Sequence, residues 1–184
     1  MLYALGGAAA AVLLYLVWTY NRLVGLSKRA DGAWSDIDVQ LKRRWDLVPA
    51  LVETVKGYTG HESSTLQAVT EARARATESA SGSPQGRGGA ERSLASAVGG
   101  VFALAEAYPD LKASRNFLDL QKSLTEIEDS VQYARRYYNA VVRDYNTLTE
   151  TFPTLLVASA GGFARRDFFQ LDDPSERAAP QVRL

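Results

Sequence analysis

The 184-residue sequence contains no cysteine and one histidine, and its 21 Lys and Arg cancel its 21 Asp and Glu to a formal net charge of zero. Without cysteine there are no disulfides, cysteine zinc sites, iron–sulfur clusters or thiol nucleophiles. One histidine excludes multi-histidine metal centres. Neutrality leaves no electrostatic footprint for nucleic acid. No run has a convincing strand period, and no internal repeat appears. What remains is 46% apolar, enough to bury a core and to exclude wholesale disorder.

Charge is also missing from one end. No charged side chain occurs from Met1 to Trp18, and the first is Arg22. As helix, Leu2 to Tyr20 covers about 28 Å at 1.5 Å per residue, close to a hydrocarbon core of about 30 Å. Its seven Leu and Val residues contribute about −2 to −4 kcal/mol toward insertion. Trp18 and Tyr20 stand at the exit, where amphipathic aromatics favour the interface. A cleaved signal peptide requires a basic leader and small residues after the apolar run. Here no Lys or Arg precedes the run, and Trp-Thr-Tyr-Asn-Arg-Leu follows it. The segment therefore reads as an uncleaved anchor. Arg22, Lys28 and Arg29 flank only its exit, so the positive-inside rule puts the N-terminus outside and residues 21–184 in the cytoplasm. Gly6 with Ala10, and Gly7 with Ala11, place small residues four apart, a spacing that lets transmembrane helices approach closely.

Heptad spacing dominates the remainder. Phe117, Leu120, Leu124, Ile127, Val131, Ala134, Tyr138, Val141, Tyr145, Leu148 and Phe152 alternate steps of three and four. Ser114 is a suitable N-cap and Pro153 stops the helix. So long a helix is unstable alone, and partners must cover its seam. A matching stripe follows the anchor: Leu23, Leu26, Ala30, Ala33, Ile37, Leu41, Val48, Leu51, Val55 and Tyr58. Its phase slips at Arg44 and Trp45, a kink is expected at Pro49, and Asp38 with Lys42 reads as an outer i,i+4 pair. Between them, a capping box spans Thr59–Glu62, and a helix runs over about 61–80 with Leu66, Val69, Ala72 and Ala76 inward. Ser81–Gly89 reads as a loop. Ala90–Ala107 reads as a helix with Leu94, Val98, Val101 and Leu104 inward. Past Thr154, Gly161-Gly162 breaks any helix, Phe163, Phe168 and Phe169 are candidates to dock, and Asp172–Leu184 reads as a loosely held polar tail.

The expected fold is all-α: an antiparallel long-helix bundle tethered by one N-terminal transmembrane helix. Residues 1–20 form the anchor, 21–153 the bundle, and 154–184 a C-terminal tail partly docked on it.

Several segments together resemble the LemA family of bacterial membrane proteins: RRWDLVPALVETVKGYTGHE at 43–62, VTEARARA at 69–76, YPDLKASRNFLDLQKSLTEIEDSV at 108–131, ARRYYNAVVRDYN at 134–146 and FPTLLVASAGGF at 152–163. FFQLDD at 168–173 and the closing PQVRL resemble the family's tail. The resemblance implies a single-pass protein with a short external N-terminus and a helical domain. It supplies no catalytic residues. It associates some relatives with membrane-shaping systems and others with membrane zinc proteases.

Motifs for chemistry are incomplete. His61-Glu62 begins like HExxH, but Thr65 stands at the second histidine position. The glycines of 81–89 are not followed by Gly-Lys-Ser/Thr, and no Gly-x-Ser-x-Gly elbow occurs. Glu126, Glu128 and Asp129 fall off the seam and read as a solvated face. Arg135, Arg136 and Arg143 beside Tyr133, Tyr137 and Tyr138 read as inter-helix salt bridges and hydrogen-bonded tyrosines. The Phe152-Pro153 step reads as packing.

The chain thus reads as a non-enzymatic scaffold without cofactor or metal. Its expected partners are the lipid bilayer and further copies of itself, through Gly6, Gly7, Ala10 and Ala11; nucleic acid is not expected. The alternatives are an adaptor for a membrane protease, or a ligand-binding bundle with a buried polar site, for which Arg44, Trp45 and Glu53 are the candidates.

Overall fold

A computed structural model describes residues 1–59 and 63–170. The readings of the capping box at Thr59–Glu62, of His61 and of the tail from Asp172 lie outside the described residues. The fold is all-α, with α1 (Leu2–Lys56), α2 (Ser63–Glu78), α3 (Pro84–Ala105), α4 (Pro109–Lys112), α5 (Arg115–Glu150) and α6 (Thr154–Ala160). A single 3-10 turn, Ser79–Ser81, follows α2. No strand occurs among the described residues. Two compact units form among the described residues, one from Met1–Asp36 with Arg136–Phe168, the other from Ile37–Arg135 with Phe169 and Gln170.

In the second unit the inward stripes predicted for α1 and α2 are buried almost residue for residue. Ile37, Leu41, Val48, Leu51 and Val55 of α1 are covered, as are Leu66, Val69, Ala72 and Ala76 of α2; Tyr58 is exposed. The phase slip at Arg44 and Trp45 is no gap, because both side chains are buried on the same stripe. Helix α1 also continues through Pro49. Proline cannot donate to the carbonyl four residues back, which here belongs to Trp45. The Arg73 Nε of α2 donates to that carbonyl instead, at 2.8 Å.

Helix α3 starts six residues earlier than the sequence suggested. Ser83 caps it by accepting from the Gly86 N–H at 3.3 Å, and Pro84 occupies the first turn. Arg87 and Gly88, assigned to a loop, are buried helical positions. A Cβ at Gly88 would lie 2.0 Å from the carbonyl oxygen of Gln170, so only glycine lets that strand of chain cross α3. Phe169, beside it, is fully buried, as anticipated. Phe102 of α3 meets Phe117 of α5 edge to face at 6.1 Å.

Along α5 the predicted seam splits. Phe117, Leu124, Val131, Tyr138 and Tyr145, seven apart, are buried, whereas Leu120, Ile127, Ala134 and Leu148 are half-buried. Beyond Tyr138 the buried stripe widens to include Val142, Asn146 and Thr149. A 3.6-residue helix drifts off a strict heptad, and here an irregular segment covers the drift. Phe152, the last seam position, is 79% exposed, so its expected packing role is not realised.

The first unit contains that irregular segment. Helix α6 ends in a Schellman motif: Gly162 has φ +70°, its N–H bonds the Ser159 carbonyl at 3.3 Å, and the Phe163 N–H bonds the Ala158 carbonyl at 2.9 Å. The chain then runs along α5, held by side chains. Tyr145 donates to the Ala164 carbonyl and Tyr138 to that of Asp167, each at 3.0 Å. Asn146 donates to the Arg166 carbonyl and accepts from its N–H, both at 2.9 Å. Arg166 reaches α1, bonding Asp31 at 2.7 Å and Ser27 at 2.9 Å. Tyr138 also meets Trp34 of α1 at 5.3 Å, and burial pushes its phenol pKa up.

Candidate functional site

Two places carry the features that distinguish this chain. The first is the start of α1. It is the one helix among the described residues that contains a window long and apolar enough to cross a membrane. Its side chains stay uncovered by protein: Leu5, Val12, Leu13, Leu14, Leu16, Val17 and Trp18 are all exposed. Gly6, Gly7, Ala10 and Ala11 lie on this uncovered stretch, and a Cβ added at either glycine meets nothing within 4 Å. The open backbone at these positions gives another helix room to approach closely.

The second is a buried cluster of charge in the unit built from α1, α2, α3 and α5. The Arg44 guanidinium, 3% exposed, donates through Nη2 to Glu91 of α3, which is fully buried, and through Nη1 to Glu128 of α5 at 2.6 Å. Trp45 Nε1 donates to the other Glu91 oxygen at 2.8 Å. Arg87, also buried, pairs with Asp38 and stands 5.9 Å over the Trp45 ring. Three helices, α1, α3 and α5, thus meet on two guanidinium groups. Charges this deep persist only when paired and hydrogen-bonded, and a planar guanidinium suits two carboxylates at once.

Several expectations change here. Of the three candidates for a buried polar site, Arg44 and Trp45 belong to it, but Glu53 is exposed and pairs with Lys56 at 3.2 Å. Glu128 is no solvated bystander, since it pairs with Arg44; Glu126 does face solvent, beside Lys122 at 3.9 Å. Asp38 does not pair with Lys42. Lys42 pairs with Asp46 at 2.6 Å, and Asp38 serves Arg87. Arg87 lies among glycines that read as loop, and Glu91, inside the expected Ala90–Ala107 helix, has its partners Arg44 and Trp45 47 and 46 residues away in sequence. The Ser83-Pro84 pair was the available signal, an N-cap followed by a proline of the first turn. Among the described residues no group of three or more His, Asp and Glu is arranged to hold a metal ion.

The sequence model of the LemA family matches residues 33–184, most of the chain and all of the charged cluster. The chain belongs to the LemA family. Magnetosome protein MamQ 2 of Paramagnetospirillum magneticum is 25% identical over 187 residues, covering 89% of this chain and 69% of the relative. Magnetosome protein MamQ of Magnetospirillum gryphiswaldense is 25% identical over 86% of this chain and 67% of its own length. Protein LemA of Metamycoplasma hominis is 29% identical over 75% of this chain and 63% of its own. With its uncovered apolar helix, this member of the family is a membrane-associated helical protein.

Proposed function

We propose that the protein is a single-pass bacterial membrane protein that works without catalysis, presenting its helical bundle at the membrane for self-assembly or partner recruitment. The N-terminus lies outside and residues 21–184 lie in the cytoplasm, as the Arg22, Lys28 and Arg29 asymmetry favours. The observation that carries this reading is a contrast. The buried charges are spent on one another, Arg44 on Glu91 and Glu128, and Arg87 on Asp38, which suits a pin holding helices in register. The small-residue face of α1 at Gly6, Gly7, Ala10 and Ala11 stays open. Relatives named as magnetosome proteins are compatible with an organising role.

Shared orientation in a membrane raises the effective concentration of copies, and near-zero net charge removes long-range repulsion. Subunit counting by mass photometry in nanodiscs should therefore give homo-oligomers, and Gly7→Ile should weaken them by blocking close approach. A strictly monomeric count across a concentration series contradicts self-assembly and favours an adaptor, for instance of a membrane protease, that acts singly.

One observation favours a second reading, a ligand-binding bundle. A cleft of about 200 Å³ opens beside the cluster, lined by Arg44, Val98, Phe102, Leu124, Glu128 and Asp129. Its lining is largely apolar, and with Glu128 paired to Arg44 the Asp129 carboxylate is the group that suits a small amphiphilic cation.

A further inference from the structure

No charged residue occurs from Thr151 to Ala164, and α6 lies in the middle of this stretch. Thr154 and Ala158, four apart, face the protein and are buried. Thr154 Oγ1 donates inward to the Leu148 carbonyl at 2.7 Å. Phe152, in the turn before α6, and Leu155 and Leu156, in its first turn, face away from the protein. They are 79%, 42% and 61% exposed. A soluble protein places polar residues on such a face. Here Thr154 points in, and the large apolar Phe152, Leu155 and Leu156 point out.

The neighbour of this face is the end of the apolar run of α1. Leu16, Val17 and Tyr20 of α1 and Leu156, Val157 and Ala160 of α6 line one open groove of about 470 Å³. Tyr20 meets Phe163 edge to face at 5.5 Å, which fixes the chain after α6 against α1. Amphipathic aromatics and a cation collect at the end of the apolar run of α1: the Arg22 guanidinium lies 5.6 Å over the Trp18 ring, and Tyr20 stands between them in sequence. That is the arrangement of a membrane–water interface, with an apolar side, an aromatic belt and a cationic edge.

We infer that α6 with Phe152 is a second membrane contact: it lies in the bilayer interface, with Phe152, Leu155 and Leu156 among the acyl chains that also cover Leu16 and Val17. The occupant of the groove is lipid, because the groove continues an apolar surface that lipid already covers. This inference rests on α1 being the anchor. It gives the first unit two attachments, which would fix the tilt and rotation of α1 at its exit.

The cysteine-free chain allows a direct test. Full-length Leu13→Cys, Leu156→Cys and Gly32→Cys proteins, each carrying an environment-sensitive fluorophore, are reconstituted in phosphatidylcholine/phosphatidylglycerol vesicles. The vesicles contain lipids with a nitroxide either near the headgroup or deep in the acyl chain. Gly32 is exposed and lies about 18 Å along α1 beyond Tyr20, at 1.5 Å per residue. The label at 156 should lose most of its emission to the shallow nitroxide, that at 13 to the deep one, and that at 32 to neither. Quenching at 13 without quenching at 156 overturns the second contact and leaves the anchor intact. Blue-shifted but unquenched emission at 156 points to coverage by another protein copy and also overturns it. An unquenched label at 13 removes the anchor, and the second contact with it.

Discussion

The side chain of Arg73 supplies the hydrogen bond that Pro49 withholds from the carbonyl of Trp45. Its Nε sits 2.8 Å from that oxygen, within a stretch of α1 where Trp45, Val48, Leu51 and Val52 are buried. A carbonyl left unpaired in such surroundings costs about 1–3 kcal/mol. Arg73→Leu should therefore destabilise the protein by about 1–2 kcal/mol when Pro49 is present. In a Pro49→Ala background the helix supplies its own donor, and the same substitution should cost clearly less. A double-mutant cycle on the full chain in mild detergent, followed by circular dichroism during urea unfolding, reads the coupling. Equal costs in both backgrounds would show that Arg73 does not compensate the proline.

The Arg44–Glu91 pair yields a sharper contrast. Arg44→Met leaves a fully buried carboxylate without its cation and should cost about 3–5 kcal/mol. Arg44→Met with Glu91→Leu should recover much of that, because an apolar pair of similar volume often replaces a buried ion pair without loss. Glu128→Gln, on a side chain 37% exposed, should cost only about 1 kcal/mol. Thermal unfolding of the four proteins checks the order. A double variant no more stable than Arg44→Met would mean that the cluster does more than neutralise itself.

The split of the α5 seam sets a third expectation. Leu124→Asp buries an unpaired charge and should destabilise by about 3–5 kcal/mol. Ile127→Asp, at a half-buried position, should cost about 1–2 kcal/mol. The two urea midpoints decide, and the reverse order would place the seam in the wrong register.

Much of this architecture is readable from spacing alone. The stripes of α1 and α2 and the heptads of α5 follow from apolar periodicity, and Phe169 is one of three aromatic residues that the sequence marks as candidates to dock. The paired charges are harder to read. Asp38 has Lys42 four residues away and Glu128 has acidic neighbours, so local rules assign both to the surface. Their true partners, Arg87 and Arg44, lie 49 and 84 residues away in sequence. Gly88 misleads for a related reason: glycine marks a loop by propensity, but here it admits the Gln170 backbone against a helix. The anchor motif at Gly6, Gly7, Ala10 and Ala11 depends on a neighbouring helix that a single chain does not contain.

Alkaline pH should act through Tyr138. Burial is the main cause raising its phenol pKa above the ordinary 10.0, with Arg166 opposing and Asp167 and Asp31 reinforcing the rise. Below pH 10 the phenol is neutral in both the folded and unfolded chain, and its contribution is intact. Above that value the unfolded chain ionises first, so stability falls as pH rises toward and through the higher folded value. Tyr138→Phe should lose about 1 kcal/mol at neutral pH, with the bond to the Asp167 carbonyl. The gap between the two proteins should then narrow at high pH. Paired urea titrations at neutral and alkaline pH measure it, and a constant gap would remove Tyr138 from the alkaline transition.

The account stands on α1 holding this chain in the membrane. Alkaline carbonate extraction of native membranes, followed by intact-mass measurement, tests that most directly. The protein should remain in the pellet at its full 20.1 kDa. Release into the supernatant, or a mass shortened by the apolar N-terminal run, would contradict it.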